Sequence, residues 1–198
     1  MDVILRTAAA GAAVLALAGC SSAPAGPADA DSAVAAGART AATTAATAAY
    51  NESDVRFCRE MIPHHMMTIE LAELVTGRTT DPYVTSMAER IAEGEDEEID
   101  RMTAWLEEWR KPPPGEAHLG HDGNGLDAEA VAELERASGR TFDRLWLRAV
   151  ADHLEHGVRM AETVLAVGRS APATMLAGQM VTELRADVED IEVRLRQI

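Results

Sequence analysis

The chain has 198 residues, 47% of them hydrophobic and 26% charged, enough for one ordinary domain with a packed core or two small ones. Aromatics make up only 4% while there are nine Met and abundant Ala, a mix that favours helices and excludes a strand-rich sandwich. The formal charge of −15 argues against a phosphate backbone as partner, and two cysteines, Cys20 and Cys58, are too few for a disulfide framework.

Residues 1–19 read as a bacterial lipoprotein signal peptide. An apolar run follows Arg6 and ends in Leu17-Ala18-Gly19-Cys20, which resembles a lipobox with Cys20 as the lipid attachment site, the lipid being palmitate or a related acyl chain. The run is too short for a transmembrane helix. Residues 20–50, rich in Ala, Thr, Ser, Gly and Pro, are expected to form a disordered tether with a reach of about 30 Å. The domain of residues 51–198 would then sit outside the cytoplasm, held to the cell membrane by lipid alone.

Within that domain the periodicity and breakers predict helices over 51–76, 83–110, 126–138, 141–167 and 171–198. The breaks fall at Gly77 to Pro82, at Pro112-Pro113-Pro114-Gly115, at Gly139 and at Gly168-Arg169-Ser170. The long helices form two hairpins, about 53–110 and 142–198, that align without gaps at an offset of 89 residues. His64 meets His153, Asp54 meets Asp143, Ala72 meets Ala161 and Leu106 meets Leu195. Repeated hairpins bury their apolar stripes best as an all-α four-helix bundle.

A helical wheel places chemistry on the buried faces. His64, His65, Glu95, Glu98, His153 and Asp187 fall inside or at the edge of the apolar arcs, with Met61, Met102 and Met160 nearby and His156 at a border. Buried charges must satisfy one another or bind a cation. Two readings follow: a His–carboxylate layer that only sets helix register, or a metal site. Pro63 removes one helical hydrogen bond just before His64-His65, and a kink there would turn both imidazoles toward one centre.

Imidazole suits copper, zinc, iron or nickel and thioether suits Cu(I), so copper is the first candidate among the transition metals; Met61 and His65 stack one turn apart. A ferritin-like di-metal oxidase would show Glu-x-x-His motifs, which the four main helices lack, although Glu95, Glu98 and Asp187 supply carboxylates. No Gly-x-Ser-x-Gly elbow or phosphate loop is present, and the internal Cys58 lies on a core face, so an enzyme is not expected. His118 and His121, beside Asp122, form an exposed loop pair.

Phe57-x-x-x-Met61-Ile62-Pro63-His64-His65, Ile69-Glu70-Leu71-Ala72 and Glu98-Ile99-x-x-Met102-x-x-Trp105-Leu106 resemble the bacterial "domain of unknown function 305" family. Ser138-Gly139-x-x-Phe142-Asp143-Arg144-Leu145-Trp146-Leu147 resembles its second half, so the likeness runs over roughly 51–195. The resemblance implies a secreted or lipid-anchored ferritin-like bundle, in some members tied to copper binding and tolerance. This chain departs from that pattern. The second half carries His153-Leu154, with His156 further on, where the family has His-His; Glu95 replaces a Gln, and Leu184 stands at the equivalent place in the last helix.

The sequence thus predicts an extracytoplasmic copper-binding lipoprotein that buffers, delivers or confers tolerance to the metal, with His64, His65, Met61, Met102, Glu98 and His153 as ligands. Glu95, Asp187, His156 and Met160 are second-tier candidates. The partners expected are the metal ion and, through lipid only, the membrane. The rivals are a metal-free interaction bundle and the di-metal oxidase.

Overall fold

The computed structural model describes residues 49–115 and 128–198, all of whose regular structure is helical. The lipobox with Cys20, the tether, and His118, His121 and Asp122 lie outside the described residues. The helices are α1 (Glu52–Glu73), α2 (Pro82–Glu108), α3 (Ala128–Arg136), α4 (Gly139–Val167) and α5 (Ala171–Leu195). Among the described residues no helix is long and apolar enough to cross a membrane.

Local chemistry sets the boundaries. Asn51 caps α1 by accepting from the amides of Ser53 and Asp54, while Asp54 returns a bond from the Asn51 amide at 2.7 Å. Asp81 and Ser170 cap α2 and α5, each just ahead of a proline in the first turn, where a missing N–H costs nothing. The first helix stops at Glu73 rather than 76. The chain turns there through Gly77, whose φ of +76° suits glycine. Pro63 leaves α1 unbroken, although it cannot donate to the Arg59 carbonyl. The last helix ends at Leu195, short of the expected 198.

The two hairpins, α1–α2 and α4–α5, meet through an antiparallel contact of α1 with α4. At one end Asn51 Nδ2 donates to the Val167 carbonyl at 2.7 Å. At the other, the buried Trp146 indole N–H donates to the Leu71 carbonyl at 2.7 Å. The 89-residue offset is therefore a pseudo-two-fold relation whose axis passes between His64 and His153. Cys58, Met61, Met102, Phe142, Trp146, Leu154 and Ile191 fill the core. Arg90 to Asp187 and Arg194 to Asp81 link α2 with α5 along its edge. The short α3 buries Leu134 against α4.

Asp54 serves as a second fastening between the hairpins. Its fully buried carboxylate accepts from the amides of Arg169 at 3.0 Å and Ser170 at 3.1 Å, in the α4–α5 turn. Gly168 permits the approach, because a Cβ there would lie 2.6 Å from Asp54 Oδ1. The repeat partner Asp143 is also buried, yet its Oδ1 finds no hydrogen-bond donor.

Candidate metal centre

His64 and His65 are adjacent in sequence and part ways in space. A residue step on a helix is about 100°, so neighbours face different elements. His64 faces α4; its ring stacks on that of His153 with centroids 3.7 Å apart and planes 10° from parallel. Each ring donates from Nε2 to the other residue's backbone carbonyl at 3.1 Å. A carbonyl only accepts, so these bonds fix both rings as the Nε2–H tautomer. The Nδ1 of His64 then carries a lone pair, is buried, and has no hydrogen-bond partner. Burial and the nearby His153 and His65 rings hold His64 well below the usual imidazole range, so it stays neutral.

His65 faces α2. Its Nε2 lies 2.8 Å from Glu98 Oε2 and its Nδ1 lies 3.6 Å from Glu95 Oε2, beyond hydrogen-bond reach. Burial opposes a charge on this ring, but the Glu95 and Glu98 carboxylates outweigh it and raise His65 above the ordinary value. Burial pushes the Glu95 carboxyl up to about 7, with His65 pulling the other way. The two groups are coupled, so the protonation of each depends on the charge of the other. Neither Glu95 oxygen makes a well-formed hydrogen bond although both are buried, so this centre holds spare acceptor capacity.

Both helix-one imidazoles thus have one nitrogen anchored, His64 on a carbonyl and His65 on a carboxylate, with the other left open. That is how metal-ligating histidines are usually held. Met61 lies one turn before His65 and Met102 one turn after Glu98, and both thioethers are fully buried. His156 is half-buried, its ring centroid 5.6 Å from that of His64, and its Nδ1 also lacks a partner.

The structure leaves other expected residues apart. Glu98 and Asp187 are half-buried rather than interior, and Asp187 is held by Arg90 at 2.9 Å. Met160 is half-buried in a surface cleft. Among the described residues, no three His, Cys, Asp or Glu side chains stand together closely enough to hold one metal ion. The donors come in pairs, His65 with its carboxylates and His64 with the α4 imidazoles. Buried nitrogens with fixed tautomers beside thioethers fit a soft metal chemically, and the sulfurs would have to complete any coordination shell. Burial also pushes the Cys58 thiol up to about 12, so it stays protonated.

Two residues escaped the wheel. Gly157 gives its side-chain space to His64, whose Cε1 would lie 3.0 Å from a Cβ there. A glycine in mid-helix is the signal for such a close approach. Asp54 was visible as the third helical residue after Asn51, in a capping-box pattern, but its reach to the far turn was not.

The fold and this centre define a class: an all-helical bundle of two fused hairpins with paired imidazoles and carboxylates at its middle. The family model for a domain of unknown function, number 305, matches residues 54–195, and the chain belongs to that family. A protein described as secreted, from Streptomyces coelicolor, superposes with a TM-score of 0.68 at 23% identity, over 73% of this chain and 93% of that one. A fragment from Deinococcus radiodurans gives 0.66 at 25% identity, over 75% and 98%. CopM in a Cu(II)-bound form gives 0.64 at 24% identity, over 73% and 96%, and CopM has also been seen with Cu(I) and with silver. An uncharacterized protein of Acanthamoeba polyphaga mimivirus is 34% identical over 55 residues, a match spanning 36% of that curated relative.

Proposed function

We propose that the protein is an extracytoplasmic copper-handling factor, a buffer or carrier of the metal rather than a catalyst. The observation that carries this reading is the fixed tautomer of His64, which leaves a neutral, buried, unpartnered Nδ1, with the ring of His156, whose own Nδ1 is unpartnered, 5.6 Å away. The CopM likeness and the secreted relative support the metal and the location. His64, His65 and His153 would supply or orient imidazoles, Met61 and Met102 the thioethers, and Glu98 the anchor of His65. Copper is cargo in this scheme, and no step of bond chemistry is assigned to it. The lipid at Cys20, and attachment to the membrane through it, belong to the same proposal.

The test is an anaerobic Cu(I) titration of the protein against a competing chelator, repeated with His64→Ala plus His65→Ala. Tight binding by the parent that the double variant loses is the expected result. No competitive binding by the parent would sink the copper reading.

One observation favours a second reading. One nitrogen of each of His64, His153 and His65 is already bonded across α1–α4 or α1–α2, as a layer that only fixes helix register would do. That reading expects added copper to leave the melting temperature where it was.

A further inference from the structure

The pseudo-two-fold axis relates Trp146 on α4 to Phe57 on α1. Trp146 fills its side of the α1–α4 seam and bonds to Leu71. Phe57 is smaller and has no N–H, and on its side the seam opens into a cleft of about 280 Å³. Phe57, Glu60, His156 and Met160 line the cleft. His156 and Met160 sit one turn apart on α4, where the first hairpin has the buried apolar Met67 and Leu71. His64 follows Glu60 by one turn, and its ring is 5.6 Å from that of His156 in an edge-on arrangement. The cleft therefore offers a thioether and a half-buried imidazole, and behind that imidazole lies the buried ring of His64, whose Nδ1 is unpartnered.

We infer that this cleft is the loading door for the metal: His156 and Met160 take a soft monovalent cation from solvent and bring it to His64 Nδ1. The inference rests on the metal-handling reading above. Two imidazoles and a thioether suit a d¹⁰ cation of low coordination number, and this combination needs no third nitrogen, oxygen or thiolate donor. The exposed Arg56 and Arg159 stand at the mouth with Glu60, which disfavours hard divalent ions. The opposite opening, between α2 and α5, is lined by Glu95, Glu98, Glu183 and Asp187 against the single Arg90, a charge pattern suited to hard divalent cations. The two openings differ in ligand class, and it is the α1–α4 one that holds His156, the neighbour of the His64 ring.

Silver ion is the probe, titrated into the whole protein while the imidazole nitrogens are followed by two-bond ¹⁵N–¹H NMR. Coupled shifts of the Nδ1 resonances of His64 and His156 are expected at the first equivalent. His156→Ala and Met160→Leu each change a half-exposed side chain, so both variants fold. Each is expected to weaken silver binding about tenfold, and His156→Ala to slow the His64 shift. Glu183→Gln, an exposed change in the separate α2–α5 opening, should leave both readouts unchanged. Silver that shifts His65 first, or that binds His156→Ala as tightly as the parent, would overturn the door while leaving metal handling intact. A parent that binds no silver would overturn both.

Discussion

The two hairpins share a backbone plan and carry different chemistry. Where the first places His65 and Glu95, the 89-residue offset puts Leu154 and Leu184 in the second, both buried. The equivalent of Glu98 is Asp187, which pairs with Arg90 across the bundle instead of with an imidazole. In return the second hairpin has His156 and Met160 where the first has Met67 and Leu71. The same two slots accept a His–Glu pair or a pair of leucines, so the fold does not depend on the donors. They are additions to a scaffold that packs without them, and the first hairpin retains them at some cost to stability.

The sharpest way to break the comparison is to impose one half on the other. His65→Leu alone strands the buried Glu95 carboxylate. At pH 8 the carboxyl must either stay charged without its counter-ion or take up a proton, and urea unfolding is expected to show a loss of about 3–5 kcal/mol. His65→Leu with Glu95→Leu copies the second hairpin, and its stability should return to the parent's or exceed it. A double variant as unstable as the single one would show that the slots are not equivalent.

The pH dependence of the parent comes next. Glu95 titrates near 7 when folded and near 4.5 when free, so the folded state keeps a proton that the unfolded chain releases. Stability from this group is therefore highest below pH 4.5, falls between 4.5 and 7, and levels off above, a change on the order of 3 kcal/mol. Glu95→Gln should flatten that slope in urea titrations between pH 5 and 8. His65, raised by the same carboxylates, adds stability that fades as pH climbs through its folded value, so its loss runs in the same direction.

Smaller effects separate the two aspartates. Asp54 satisfies amides at Asn51, Arg169 and Ser170, and Asp54→Ala should cost about 2–3 kcal/mol in thermal or urea unfolding. Asp143, with an unpartnered oxygen, should tolerate Asn or Ala within about 1 kcal/mol. Phe57→Trp would make the α1–α4 seam symmetric by filling its open side. It should shift stability by under about 1.5 kcal/mol and slow the loading of silver. Equal loading rates would argue against that route.

The bundle was legible because apolar periodicity, prolines and glycines mark helices one at a time, and the repeat says how two hairpins meet. His64 facing His153 is the structural form of that alignment. The shared centre for His64 and His65 was not legible, because whether Pro63 turns two adjacent rings together depends on what packs against each. Here α4 claims one ring and α2 the other, and α1 continues unbroken through the proline. Asp187 lay within the predicted arc, but the arc says nothing of Arg90, a partner 97 residues away. The wheel gives direction and leaves competition between neighbours undecided.

The fastening at the start of α1 has a mechanical consequence. Asn51 and Asp54 are tied to Val167, Arg169 and Ser170, in the turn that joins α4 to α5. A pull arriving along the chain at residue 49 is passed to the far hairpin within the first turn of α1, before it can unwind that helix. The load is shared by the whole bundle and opposed by several short bonds at once, so the domain resists being drawn out from its leading end as one block rather than helix by helix.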